Sequence, residues 1–258
     1  MILDGKTVLV CGAGPGLGGE IARGAVREGA NVVLVARTRA KLEALASELG
    51  GGARVALVTG DVKNAEDCAR MAETAVSRFG GLDALALVAA VDNTAGGVMA
   101  ADLEVWRNAL EVNVIGAAHV IRAAVPAMRS GGGGSIVLIG SQATFLPQMP
   151  QIGYASSKGA MITAMYYMAR ELGPDRIRVN TVIPTWMWGP PVERYVEGEA
   201  ARRGVPESEV VAQITRNMPL GEIPRDDDVA EAVLFFASDR ARMITGQMLM
   251  VNAGELMR

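Results

Sequence analysis

Thr7-Val-Leu-Val-Cys-Gly-Ala-Gly-Pro-Gly-Leu-Gly18 is the stretch on which the reading of the whole chain turns. Thr7–Cys11 is a short, valine-rich apolar run, so it reads as a buried strand rather than a helix. Gly12, Gly16 and Gly18 follow at once, and helical periodicity takes over from about 16 to 28. A glycine turn between strand and helix lets the backbone approach a pyrophosphate, while the helix N-terminus offers N–H donors and a favourable dipole. The glycine spacing alone is a weak signal. Its place between the first strand and the first helix makes a dinucleotide site the expectation.

The same alternation continues outward. Strands are expected at Asn31–Ala36, 54–58, 84–89, 135–139, 177–182 and 247–251, and helices at 39–49, Ala65–Phe79, 102–128, 154–172 and Asp226–Ala237. Short β-branched runs separated by longer amphipathic segments describe a parallel sheet with helical crossovers, an α/β fold. Glycines 131–134 break the long helix before the fifth strand. After Pro184 the pattern loosens into a proline-bearing stretch with short helices at 192–203 and 206–217. No linker divides the chain, so a single domain over residues 1–258 is expected. Asp226, Asp227 and Asp228 are expected to favour the positive end of a helix dipole, not a metal.

Composition narrows the function classes. The 258 residues are half apolar and 21% charged, enough to bury a large core. A net charge of −3 with both signs interspersed implies no nucleic-acid footprint and no polybasic membrane anchor. No stretch approaches ~18 uninterrupted apolar residues, so no membrane span is expected. Cys11 and Cys68 are too few for a disulfide framework, and the charged opening does not resemble a secretory leader, which points to a cytoplasmic protein. His119 is the single histidine; it sits mid-helix with no acid or cysteine set nearby, so a histidine triad or metal site is not expected.

Two positions refine the cofactor. Dinucleotide sites that prefer NAD usually place an acid at the end of the second strand, but this chain has Ala36 followed by Arg37, with Arg39 and Lys41 close behind. A guanidinium suits a 2′-phosphate, so NADP is expected, with NAD left open. Asp61 and Val62, after the third strand, lie where they would meet an adenine; a lone acid there also serves as an ordinary turn residue.

Tyr154-Ala-Ser-Ser-Lys158 sets a phenol and an ammonium four residues apart on one helical face. A lysine beside a tyrosine favours the phenolate and outlines a general acid/base. Any helix can carry such a pair, and the pair by itself leaves both readings open.

With a glycine turn near the start and Tyr154-x-x-x-Lys158 past the middle, the chain resembles the short-chain dehydrogenase/reductase family along essentially its whole length. Gly12, Gly16 and Gly18 match the family's glycine pattern, with Cys11 in place of its threonine. Ser141 falls at the family's usual offset before the tyrosine, and Asn113 in Val112-Asn-Val114 matches the asparagine of the preceding helix. The resemblance implies a Rossmann-like, doubly wound sheet of about seven strands in the order 3-2-1-4-5-6-7. It implies Tyr154 as proton donor and acceptor, Lys158 lowering its pKa and holding the nicotinamide ribose, and Ser141 holding the substrate oxygen. It further implies that Asn113 kinks its helix and holds a water. Leu17, Ala89, Pro184 and Met187 are carried over as cofactor contacts, and a dimer or tetramer is implied through the Asn113 and Tyr154 helices. Ala117, Ile121, Met161, Met165 and Met168 are candidates for that interface.

Three departures from the family pattern stand out. Leu87-Val-Ala-Ala90 replaces Asn-Asn-Ala-Gly after the fourth strand. Thr185 and Gly189 occupy the usual glycine and threonine after Pro184. Val251-Asn-Ala-Gly254 replaces Val-Asp-Gly-Gly, a change expected to affect packing. A substrate flap is expected at about 185–222. Phe145, Met149, Trp186, Met187, Trp188 and Met218, with Gln142, Gln148 and Gln151, are pocket candidates and point to an apolar ketone or secondary alcohol that is cyclic, terpenoid, steroid-like or acyl. Two other readings stay open. One is a 3-oxoacyl-thioester reductase using Arg129, Arg170 and Arg176 as a basic surface; the other is a regulator that only senses dinucleotide.

Overall fold

Strands β1 (Thr7–Cys11), β2 (Asn31–Ala36), β3 (Val55–Thr59), β4 (Ala84–Leu87), β5 (Gly134–Ile139), β6 (Ile177–Pro184) and β7 (Met248–Val251) form one parallel sheet in the order β3-β2-β1-β4-β5-β6-β7. The protein is described by a computed structural model covering residues 1–92 and 94–257. Between the strands run α1 (Leu17–Arg27), α2 (Arg39–Glu48), α3 (Ala65–Phe79), α4 (Leu103–Leu110), α5 (Ala117–Ser130), α6 (Ile152–Leu172), α7 (Pro190–Arg203), α8 (Glu207–Thr215) and α9 (Asp226–Ala237).

The strands read as continuous apolar runs because helices cover both faces. Successive side chains of β1 divide between the two cores: Leu9 and Cys11 pack with Met71 of α3, Val120 of α5 and Met165 of α6, whereas Val8 and Val10 pack with Ile21 of α1 and Leu234 of α9. Local signals place the helix ends. Asn64 caps α3 by accepting from the Glu66 and Asp67 amides, and Gly80 ends it in the left-handed conformation.

Three boundaries differ from the sequence reading in ways that matter for the site. β4 stops at Leu87, short of the expected 89, because the Val88 and Ala89 amides both turn to the Cys11 carbonyl at 2.8 Å. β6 runs on through Pro184, since its last residues pair with β7 as far as Val251. The expected long helix is interrupted at Glu111–Gly116 by a π segment that carries Asn113, so α4 and α5 are separate α-helical pieces of one rod. Gly116 lies against Val62 there, where a side chain would strike the valine. This rod, Leu103–Ser130, is long and apolar enough by composition to cross a membrane, and its apolarity serves the core: Ala117, Val120, Ile121 and Met128 are all buried.

Beyond β6, α7 and α8 form a hairpin over a small cluster of their own: Val196, Ala200 and Val210, flanked by Trp188, Val192 and Ile214. All parallel strands end at the same edge of the sheet. The order reverses between β1 and β4, where open α/β sheets leave a crevice.

Candidate active site

The glycine turn builds the first wall of that crevice. Gly12 has φ +104°, and a Cβ on it would strike the Ala89 backbone; a Cβ on Gly18 would strike the Gly12 carbonyl. The two glycines therefore let β1, β4 and α1 meet closely. Gly16 caps α1 without a side-chain bond, so the amides of Leu17 and Gly18 in its first turn remain directed at the crevice. A cavity of about 320 Å³ lies beside the turn, lined by Gly12, Arg37, Thr38, Lys41, Asp61, Val62 and Ala89 among others. Arg37 is exposed on its rim and forms no ion pair among the described residues, whereas Arg39 pairs with Glu43. Asp61 also serves its own turn, accepting from the Lys63 amide at 2.9 Å.

A second cavity, about 330 Å³, adjoins the first at Pro15 and holds Gly16, Leu17, Ser141, Tyr154 and Met187. Pro184, buried at the end of β6, stands directly before the wall formed by Thr185, Trp186 and Met187. Tyr154 is anchored at the start of α6 by its amide donating to Thr94 Oγ1 at 2.7 Å, and its phenol is hydrogen-bonded to Ser141. Burial pushes this phenol up to about 12; the Ser141 bond opposes the shift and the Asp92 carboxylate adds to it. Lys158 is buried with its Nζ 5.6 Å from the Tyr154 ring centre and donates to the Ile139 carbonyl at 2.8 Å. Burial lowers it to about 8, partly offset by Asp92. An ammonium has three protons, and this one has a single protein acceptor among the described residues, leaving donors for a ligand.

The expected depression of the tyrosine by the lysine does not arise in the protein alone: burial dominates, and Ser141, not Lys158, is what opposes it. Asn113, 4% exposed, sits in the π segment, and its side chain is fully engaged. It donates to the Val91 carbonyl and to Ser157 Oγ, both at 2.9 Å, and accepts from the Val91 amide at 2.7 Å. Ser157 in turn donates to the Tyr154 carbonyl, so Asn113 ties the rod, the loop after β4 and the tyrosine's helix together. This tie operates where the family's side-chain amides are replaced by Leu87 and Val88.

Met149, Trp186 and Met187 line the Tyr154 cavity with Leu146, Gln142, Gln148 and Gln151; Phe145, Trp188 and Met218 do not. Trp188 is turned away because its amide bonds the Pro224 carbonyl at 2.7 Å and its ring packs on the α7–α8 cluster, which places it in a neighbouring cavity with Gly14, Pro15 and Gly16. Gln142 borders the site, yet both ends of its amide are taken: the nitrogen by Glu255 at 2.7 Å and Thr185 at 3.3 Å, the oxygen by Asn252 at 2.6 Å.

Other expectations are redirected. Ala117, Ile121, Met161 and Met165 are buried in the core and Met168 packs against it; the exposed apolar residues of the α4–α6 side are Leu103, Leu110, Ile115, Tyr166 and Tyr167. Arg129 pairs with Asp175, Arg176 precedes β6, and Arg170 lies about 24 Å along α6 from Tyr154, so these arginines belong to the opposite edge of the sheet from the site. Asp226 does more than face a helix dipole. It is wedged against Gly16 and Gly189, and burial raises its carboxyl to about 6, with Glu20, Asp227 and Glu193 adding to the shift. Neither Asp226's position nor Glu255 was signalled in sequence, since the residues around each come from segments far apart in the chain.

A family model described as enoyl-(acyl carrier protein) reductase matches residues 12–255. The chain is 32% identical over 253 residues to dehydrogenase/reductase SDR family member 4 of Homo sapiens, covering 98% of this chain and 88% of that one. It is 34% identical over 257 residues to the D-erythrulose reductase of Gallus gallus, covering 98% and 96%. A crystal structure from Brucella melitensis, described as a short-chain dehydrogenase/reductase and glucose/ribitol dehydrogenase, superposes with a TM-score of 0.88 at 27% identity, covering 100% of this chain and 99% of that one.

Proposed function

The chain belongs to the short-chain dehydrogenase/reductase family of NAD(P)-dependent oxidoreductases, and on that premise we propose that it interconverts a ketone and a secondary alcohol with NADP, Tyr154 moving the proton. The observation that carries the reading is the Tyr154 phenol bonded to Ser141 in a cavity that adjoins the glycine turn. The residues present fit the cofactor. Gly12 and Gly18 let β1, β4 and α1 meet closely around the turn, the α1 amides and Lys158 retain donors, and Arg37 and Lys41 stand at the adenosine end with no acid at Ala36. The unpaired Arg37 favours a 2′-phosphate.

A bound nicotinamide supplies the hydride in reduction or accepts it in oxidation. With the phenol raised to about 12, Tyr154 is protonated at neutral pH and can donate from its oxygen to a carbonyl oxygen. The Ser141 hydroxyl lies within reach of the same oxygen and stabilises charge developing there. Lys158 keeps positive charge beside the phenol, and Asn113 holds the loop and helix in register.

The substrate is a small carbonyl compound with an apolar part against Leu146, Met149, Trp186 and Val192. A 3-oxoacyl thioester is the second reading; the description of the matching family model shares with it the acyl-carrier thioester but not the ketone, and the remoteness of Arg129, Arg170 and Arg176 weighs against it. The exposed Leu103, Leu110, Ile115, Tyr166 and Tyr167 support a homo-oligomer through the α4–α6 side, which light scattering would test. A cytoplasmic location is part of the same reading, supported by two buried, unpaired thiols.

The function is tested by a panel of cyclic, steroid-like and hydroxylated ketones and 3-oxoacyl thioesters with NADPH and NADH. The expected result is reduction of a ketone with NADPH preferred by about tenfold or more. Turnover only of thioesters, or a preference for NADH, contradicts the substrate or the cofactor assignment respectively.

A further inference from the structure

Two of the departures from the family pattern meet in space. Thr185, after β6, and Gln142, the residue after Ser141, meet on the carboxylate of Glu255, and Asn252, after β7, joins them through Gln142. Oε2 of Glu255 accepts from Gln142 Nε2 at 2.7 Å and from Thr185 Oγ1 at 2.6 Å, and Oε1 accepts from Gln148 Nε2 at 2.6 Å. Asn252 completes the cluster by donating to Gln142 Oε1 at 2.6 Å and to the Leu256 carbonyl at 2.8 Å. No cation faces Glu255 among the described residues; three neutral donors hold it. One side chain therefore joins the loop of the catalytic serine to the root of the α7–α8 hairpin.

An ionised carboxylate only accepts, so it dictates which way each amide points. Gln142 has both ends engaged. Gln148 lines the catalytic cavity, has its nitrogen on Glu255, and has no partner for its carbonyl oxygen among the described residues. Asp92 lines the same cavity and Gln151 stands beside it. The one cavity therefore combines acceptors with the apolar Leu146, Met149 and Trp186.

We propose that Glu255 is a positioning residue for substrate selection: by fixing the amide of Gln148 it keeps a carbonyl available in the pocket to receive a hydroxyl of the ketone substrate. The inference rests on the ketone–alcohol reading above and narrows it to hydroxylated ketones. A glutamine at 255 is nearly the same size but presents an N–H₂ group, which only donates, in place of one of the two acceptor oxygens. It would let the Gln148 amide turn over and present its N–H₂ to the pocket in place of the oxygen.

The test compares hydroxyketones with their deoxy counterparts: hydroxyacetone against acetone, acetoin against butanone, and hydroxycyclohexanone against cyclohexanone, all with NADPH. The native chain is expected to favour the hydroxylated member in kcat/KM by about tenfold. Glu255→Gln is expected to erase that preference mainly through KM, leaving the NADPH Kd and turnover of the deoxy ketones within about twofold. In a Gln148→Leu background the Glu255→Gln change is expected to have no further effect on the preference. A loss that persists in that background, or that falls equally on both ketone classes, overturns the positioning role. Native turnover of deoxy ketones alone overturns the hydroxyl requirement while leaving the oxidoreductase reading intact, and absence of any NADPH oxidation across the panel overturns both.

Discussion

The glycine-turn half of the crevice and the half that faces the substrate are built in opposite ways. In the first, Gly12, Gly16, Gly18, Arg37, Asp61 and Val62 follow one another along β1, β2 and β3, and close backbone contacts leave little freedom. In the second, Ser141, Tyr154, Thr185 and the turn carrying Asn252 and Glu255 arrive from four separate segments and are held by side-chain hydrogen bonds. Backbone packing tolerates almost no change, whereas side-chain contacts can be exchanged while the fold persists. A shared cofactor and a variable substrate are what such a division supports.

The sharpest way to break this contrast is to add bulk to the glycine turn. Gly18→Val would drive a branched side chain into the Gly12 carbonyl, costing about 3 kcal/mol or more and abolishing NADPH binding. Thermal melting and NADPH fluorescence titration check it; a variant that melts and binds normally would show that the turn is not tightly packed. Arg37→Ser should weaken NADPH about tenfold and spare NADH, with substrate KM unchanged. An equal loss for both cofactors would remove the 2′-phosphate role from Arg37.

Asp226 lies on the seam between the two halves and gives a smaller, pH-dependent effect. Its folded-state carboxyl is raised to about 6, so the native state binds this proton more tightly than the unfolded chain. The favourable contribution is therefore present at low pH and is lost as pH rises from the ordinary carboxylate range through about 6. Asp226→Asn should stabilise the protein by about 1–2 kcal/mol at neutral pH, allowing for solvent screening of a half-buried group, and the gain should vanish below about pH 4. Denaturant melts at several pH values measure it. A pH-independent gain would mean that the carboxyl is not strained at this seam.

The same division explains what could be read from the chain. β1, the glycine turn and Tyr154-x-x-x-Lys158 are local patterns whose geometry follows from strand and helix periods, so they were legible directly, whereas sheet order and the choice of Ser141 and Asn113 came only from the family resemblance those patterns carry. Glu255 was not, because its significance depends on where residues 142, 148 and 185 finish in space. Trp188 read as a pocket aromatic on composition, but a backbone bond to Pro224 turns the flap root and carries the ring to another cavity. Met161 and Met165 read as interface candidates for a similar reason: helical apolarity does not say which face meets the sheet. The change at Asn252 looked like packing alone, and only β7 pairing with the end of β6 brings it to Gln142.

The central claim is that the Tyr154 phenol moves the proton while the glycine-turn half independently holds the cofactor. Tyr154→Phe tests it most directly, with NADPH binding by fluorescence and ketone reduction by nicotinamide absorbance measured on one preparation. The account predicts turnover down about a thousandfold with the NADPH Kd within about twofold of the native value. Undiminished turnover of the same ketone would contradict it.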